Sequence, residues 1–472
     1  MVAATHADAR APRAESSPQH SQHRAALLSR FRRISAGRPW VVWLAVLVFF
    51  GILGGALNLH FITSNPHLSP FDEYVYLDAV DKAGRGIVVR DGMTTDSYAR
   101  EVLACLGFGS NPVSSATIGV CGGDFPDEKL PFAGYTTAGV HSPVYYFLTA
   151  WLAKPFTVLG MGLLGSARLT SVLWLVVGMT VLAWGMRRVG ATWAMALTVP
   201  LLITSMPTFR TTNCYITPDA LNLLVGTLII FGSIFYARRQ WSIGWLILIS
   251  AVACVVKMQN IFAVVAALIF LVWYRIRPGH GWGKKAAADP AKLPRWWEIG
   301  ALGVVSAIAG GAWLVIRTFI PVARPDIVVD PTGALDLRQL PYMTDDALQI
   351  IFAGIGGTAE QYPKSPFASV VLWLGITAIV SVAWILERHS TLAQRFCQAA
   401  AVSFLGIAPA VVLGFNILSG SLTFMQHRYG MVLIPLFCAA AAWIKLRHSV
   451  TWGLALLTAC VYGYALIIPS AT

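Results

Sequence analysis

Asp72 and Glu73 stand side by side in "SPFDEYVYLD", just after the first long apolar stretch of a chain in which charged residues make up only 12%. Adjacent carboxylates near a membrane surface suit the removal of a proton from a hydroxyl group. Further ionisable or polar side chains mark the edges of later apolar stretches. His141 opens "HSPVYYFL", Asp219 lies in "TPDALN", and Lys257 interrupts an apolar run in "KMQN". Gln426, His427, Arg428 and Tyr429 sit together in "MQHRYGMVLIP". Ionisable groups at membrane depth are costly and usually face a polar cavity. The cations among them suit a lipid phosphate, whose growing charge as a leaving group they would stabilise. Together the set suits transfer of a group from an anionic lipid carrier, with the carrier tail held among apolar spans and no ATP or nucleotide sugar required.

Each residue alone has a blander role. Asp72 and Glu73 could be solvated loop acids, and Asp219 could cap a helix, where Asp is favoured. Lys257 could reach to lipid headgroups along its apolar stem, and Arg428 could do the same or bind an anionic lipid. His141 by itself carries no argument. The functional reading rests on their joint appearance on one membrane face.

That face follows from the elements around them. Of 472 residues 56% are hydrophobic, above the roughly 45–50% of soluble domains, and they come in blocks long enough to cross a bilayer. The expected fold is therefore all-α: a polytopic integral membrane protein with about eleven transmembrane helices. The predicted spans are 40–59, 167–186, 191–206, 219–237, 241–256, 261–274, 298–320, 366–386, 396–415, 430–444 and 450–468. Residues 1–38, rich in Ala, Arg, Ser, His and Pro without periodicity, read as a disordered basic cytoplasmic tail. Residues 39–468 form one transmembrane domain, with the first span a retained signal anchor.

The net charge of +13 is a topology signal. Basic clusters at Arg30–Arg33, Arg187-Arg188, Arg238-Arg239, Arg275–Lys285 and Lys445–His448 all fall inside if eleven spans are counted, so nucleic acid is not an expected partner. The stretch 143–164 is the exception. Counted as a span it makes twelve and turns the later basic loops outward, so it reads instead as an aromatic-rich interfacial helix. Two large extracytoplasmic loops follow, about 60–166 and about 321–365. Cys105 and Cys121 in the first of them pair as a disulfide if the loop lies outside, and are two unrelated thiols otherwise. No phosphate-cradling Gly-rich motif is present on the inner side.

In this order "PFDEYVYLD", "HSPVYYFL", "TPDALNLL", "KMQN" and "HRYGMVLIP" resemble the motifs of the GT-C superfamily of membrane glycosyltransferases, across residues 40 to about 440. The nearest likeness is to polyprenyl-phosphate-sugar-dependent enzymes such as the bacterial arabinosyl-, mannosyl- and aminoarabinosyltransferases. The resemblance implies a GT-C-like fold and transfer of a hexose or pentose from a polyprenyl-phosphate-sugar donor to a hydroxyl acceptor, usually with inversion. The acceptor would be a cell-envelope glycan, glycolipid or glycoprotein. The active site would lie extracytoplasmically in the plasma (inner) membrane, with the N-terminus in the cytoplasm.

The resemblance makes Asp72 the base with Glu73 adjacent, and Lys257 and Arg428 the phosphate partners. His141 stands where these proteins carry a polar residue before proline, although "HSP" replaces the commoner double proline. His141, Asp219, Gln426, His427 and Tyr429 complete the expected substrate-binding set. No cofactor is required; Asp72 and Glu73 would hold a divalent cation if one is used. Membrane lipids are the remaining partners. The large soluble C-terminal domain of some relatives is not expected, so acceptor binding falls to the two outer loops. Two other classes remain, a transporter or flippase of a lipid-linked sugar or anion, and a non-catalytic membrane scaffold. A transporter would show internal repeats with broken helices facing one another near the midplane, and no repeat is visible between the halves.

Overall fold

The computed structural model describes residues 39–69, 72–90, 92–108, 121–123, 126–277, 293–320, 367–385, 391–419 and 427–467. The basic tail, the predicted loop 321–365 and Gln426 lie outside them. Two compact units are distinguished, residues 1–49 and 50–472. In the first, residues 39–49 form the opening turns of α1 (Pro39–Ser64). The second carries every site residue.

The described residues are helical, with no strand beyond two isolated bridges, Leu68 with Phe108 and Thr94 with Tyr135. After α1 come two short helices of the first polar region, α2 (Glu73–Gly84) and α3 (Ser97–Leu106). A disulfide joins Cys105, in the last turn of α3, to Cys121. The apolar series then runs α4 (Val144–Val158), α5 (Leu163–Val189), α6 (Trp193–Thr204), α7 (Pro207–Cys214), α8 (Asn222–Ala237), α9 (Ile243–Val256), α10 (Ile261–Ile276), α11 (Trp296–Thr318), α12 (Ala368–Val380), α13 (Thr391–Ser419), α14 (Pro435–Trp443) and α15 (His448–Ile467).

Each of the eleven predicted spans overlaps a helix among the described residues. Among the described residues seven are by themselves long and apolar enough to cross a membrane, while 193–204, 243–256 and 428–443 are shorter apolar helices. Helix α4 has 15 residues, which at 1.5 Å each is about 22 Å, short of the roughly 30 Å hydrocarbon core. Its Tyr145, Tyr146, Thr149, Ala150 and Ala153 are buried, and it packs on α2 and α5.

The short helices share a cause. Ser205 and Met206 separate α6 from α7, which starts on Pro207. A 3-10 turn, Pro218–Leu221, precedes α8. Lys257 is extended (φ −153°, ψ 119°), and the 3-10 turn Met258–Asn260 follows it. A third 3-10 segment, His427–Leu433, leads into α14. Non-helical backbone at membrane depth is tolerated only where protein or a polar cavity satisfies it, and these breaks hold the residues singled out above. Gly226 of α8 fixes one of them. A Cβ there would lie 2.2 Å from the Val432 carbonyl oxygen, so only glycine lets segment 427–433 approach α8 this closely.

Candidate active site

The adjacent acids part company at the start of α2. Glu73, the first residue of the helix, is fully buried. Its Oε1 accepts from Arg168 Nε at 2.9 Å and Ile216 N at 3.0 Å; its Oε2 accepts from Arg168 Nη2 and Ser69 N, both at 2.8 Å. Arg168, from α5, also donates to the carbonyls of Asn65 (3.2 Å) and His67 (2.6 Å), and its guanidinium lies over the Tyr215 ring. Two buried ions that satisfy each other this fully form a structural clamp between the end of α1, α2, α5 and the break before α8. Glu73 stands apart from the reacting groups proposed below.

Asp72 occupies the position before the helix with φ 60° and ψ 0°. That left-handed conformation is uncommon outside glycine, although Asp visits it more than most, and such strain costs of order 1–3 kcal/mol. Its side chain makes no cap hydrogen bond. Instead Oδ2 accepts from Arg428 Nη2 at 2.8 Å, with the Asp72 side chain 37% exposed and Arg428 only 6%. The strained backbone thus aims a carboxylate at a cation 356 residues away.

From Arg428 the charges continue inward. Its Nε lies 2.9 Å from Asp219 Oδ2. Asp219, 1% exposed, is also paired with Lys257, and its Oδ1 accepts from Asn222 Nδ2 at 2.9 Å. The capping role open to Asp219 is taken by Thr217, whose hydroxyl accepts from Asp219 N at 3.3 Å. Lys257 is buried in this ion pair, away from lipid headgroups, with Nζ 4.3 Å from the centroid of the Tyr429 ring. Asn222 Nδ2 also donates to the Arg428 carbonyl at 3.3 Å, tying segment 427–433 to α8. Two acids and two cations therefore alternate, Asp72–Arg428–Asp219–Lys257, and balance one another.

His141 flanks the row. Its Nε2 is 3.2 Å from the Tyr76 hydroxyl, one helical turn beyond Asp72. Burial, followed by the charge of Lys257, pushes the His141 pKa down to about 3, so the ring is neutral at physiological pH. Burial likewise raises the Tyr76 phenol well above its usual range, with Asp72 adding to the effect. Both are neutral hydrogen-bonding groups. Trp313 of α11 holds the His141 loop from outside, donating to the Gly139 carbonyl at 2.9 Å.

Asp72, His141, Asp219, Lys257, Arg428 and Tyr429 are thus brought together; Gln426 and the His427 side chain lie outside the described residues. Among the described residues no group of three or more His, Cys, Asp or Glu could hold a metal ion. Asp72 and Glu73 are held by different arginines, Arg428 and Arg168. Three participants escaped the sequence reading. Arg168 carried a signal as a lone arginine inside a predicted span. Tyr76 lies four residues after Asp72, and Asn222 three after Asp219.

Residues 141–285 match the family described as dolichyl-phosphate-mannose-protein mannosyltransferase. No curated protein matches the chain. Among solved structures the chain is similar to ArnT from Cupriavidus metallidurans in the apo state, with 16% identity, a TM-score of 0.46, and 89% of this chain and 62% of that chain covered. For the same protein bound to undecaprenyl phosphate the values are 16%, 0.46, 90% and 64%. The chain spans less than two thirds of the length of these ArnT chains. His141, Asp219 and Lys257 fall inside the family-matched segment, whereas Asp72 and Arg428 lie outside it.

Proposed function

We propose that the chain transfers a sugar from a polyprenyl-phosphate donor to a hydroxyl acceptor of the cell envelope, with Asp72 as base. The observation that carries this reading is the alternating row Asp72–Arg428–Asp219–Lys257, built from four separate sections of chain. In the resting state Arg428 holds Asp72. An arriving phosphate competes for Arg428 and frees the half-exposed carboxylate to take the acceptor's proton. The acceptor oxygen then bonds to the anomeric carbon as the carbon–oxygen bond to phosphate breaks, and the electron pair stays on the phosphate. Arg428 and Lys257 stabilise that charge, while Asp219 keeps both cations charged and in place. Attack opposite the leaving phosphate inverts the anomeric centre. Tyr429 and neutral His141 border the space for the sugar.

The reaction belongs on the extracytoplasmic side of the inner membrane, with the N-terminus inside. The Arg187-Arg188 pair terminates α5, opposite the end that holds Arg168, which agrees with basic residues facing the cytoplasm. The Cys105–Cys121 disulfide suits an oxidising compartment.

Binding of undecaprenyl phosphate to the purified protein in lipid nanodiscs tests the reading. The wild type binds it, and Lys257→Ala and Arg428→Ala each weaken binding about tenfold or more, as loss of a charge-assisted contact does. No binding by the wild type, or wild-type affinity in both variants, overturns it.

A further inference from the structure

The C-terminal end of helix α2 borders a second polar region, away from Asp72. Beyond its C-terminal turns opens a polar cleft of about 890 Å³, walled chiefly by Asp81, Arg85, Asp96, Tyr98, Arg100 and Asp127. Arg85 Nη2 donates to Asp81 Oδ2 at 2.8 Å and also to Asp96. Arg100 Nη1 donates to Asp127 Oδ1 at 2.6 Å, and its Nε to the Thr95 carbonyl at 2.8 Å. Behind this wall Lys82 is buried against Asp78 Oδ2 (2.6 Å) and Asp96 Oδ1 (3.4 Å), and Asp96 N donates to Asp78 Oδ1 at 2.7 Å. Asp96 and Arg100 are therefore held from behind, while Arg85 and Asp127 stand half exposed at the rim.

The construction is specific to this pairing. Gly134 has φ +77°, and a Cβ there would lie 2.9 Å from Asp127 Oδ1 and 3.0 Å from Arg100 Nη2. Its carbonyl accepts from both the backbone N (2.8 Å) and the hydroxyl (3.0 Å) of Thr95, beside the Thr94–Tyr135 bridge. The disulfide ties residue 121 to the far end of α3.

The charges say what such a cleft holds. Three carboxylates face two guanidiniums, with the Lys82–Asp78 pair behind them, so the wall carries a slight negative excess and offers no net attraction to a phosphate or a nucleotide. The described hydrogen bonds use only Oδ2 of Asp81 and Oδ1 of Asp127. Each carboxylate accepts through two oxygens, and each guanidinium carries five donors. Acceptors beside donors match vicinal hydroxyl groups, which donate and accept at once, and Tyr98 adds an aromatic surface. Asp81 lies nine residues along from Asp72 and Arg85 thirteen, about 14 and 20 Å at 1.5 Å per helical residue. One sugar unit cannot occupy both places.

We propose that this cleft binds a neutral, hydroxyl-rich glycan chain, holding the acceptor several sugar units away from the hydroxyl that reacts at Asp72. The proposal rests on the glycosyl-transfer reading for its role, and on the cleft alone for its ligand class.

The full-length protein in nanodiscs is titrated with short linear gluco-, manno-, galacto- and arabino-oligosaccharides, with undecaprenyl phosphate measured beside them. One series binds with affinity that rises with chain length. Asp127→Asn and Arg100→Gln each weaken it about tenfold. Gly134→Ala, which removes no polar group, weakens it as well by displacing the Arg100–Asp127 pair. Binding in no series, no dependence on length, or variants equal to wild type overturns the proposal. If the carrier binds and no oligosaccharide does, the cleft assignment falls alone. If an oligosaccharide binds in this pattern and the carrier does not, the transfer reading falls and the glycan cleft stands.

Discussion

Two arginine–carboxylate pairs sit one residue apart and differ in nearly every physical respect. Glu73–Arg168 is 0% and 2% exposed, and four hydrogen bonds saturate its carboxylate. Asp72–Arg428 is joined by a hydrogen bond of 2.8 Å to a carboxylate that is 37% exposed, on a backbone in the left-handed region. A saturated buried pair can only hold shape, because any change of partner would strand a charge away from water. A half-open pair with a strained member can exchange its partner for a ligand. The difference separates scaffold from chemistry more sharply than residue type does.

The largest expected effects come from breaking each pair in turn. Asp72→Asn lowers sugar transfer by about 10²–10⁴-fold, the usual contribution of a positioned base, with little change in thermal stability. Glu73→Gln does the reverse: it leaves Arg168 buried without a counter-charge, at a cost of about 3–5 kcal/mol, seen as a lower unfolding midpoint and poor accumulation in the membrane. Transfer assays and thermal unfolding of both variants check the contrast. Full activity in Asp72→Asn removes the base assignment, and a stable but inactive Glu73→Gln erases the distinction between the pairs.

A smaller effect is expected where the scaffold holds Arg428. Gly226→Ala places a methyl against the Val432 carbonyl, and overpacking of this kind costs typically about 1–3 kcal/mol. Segment 427–433 moves to relieve it and carries Arg428 away from Asp72. Undecaprenyl phosphate affinity drops while helix content by circular dichroism stays constant. Unchanged affinity would mean that the close approach of α8 serves stability alone.

Much of this was legible from residues in order. The apolar blocks mark stretches that are helical among the described residues, and the ordered motifs contain Asp72, Asp219, Lys257 and Arg428, which the fold brings into one row. The pairings were not legible. Asp72 and Arg428 are 356 residues apart, and no local pattern links a residue before α2 to a 3-10 segment before α14. Nor does the dipeptide Asp72-Glu73 reveal that its members diverge. Glu73 follows helical geometry into the core, while Asp72 leaves it through a positive φ that residue types do not specify. Arg168 was visible as a charge within a predicted span, yet its partner depended on how α5 packs on the start of α2.

The last effect is confined to acid pH, and its sign follows from the partly buried His141 ring. Burial first, and Lys257 second, lower its pKa from the ordinary 6.5 to about 3, against the opposing pull of Asp219. Between those values the unfolded chain carries a proton that the folded protein lacks. The contribution of neutral His141 to stability is therefore complete above pH 6.5 and is lost as pH falls toward 3. His141→Gln keeps an uncharged hydrogen-bonding side chain beside Tyr76 and has no such titration. Unfolding midpoints of the two proteins should run parallel above about pH 7 and separate below 6.5, with the wild type falling more steeply. Parallel curves down to pH 5 would mean that water reaches the imidazole. His141 would then be as open to water as the Asp72 carboxylate, and the contrast between a sealed clamp and a half-open site would extend to one more residue.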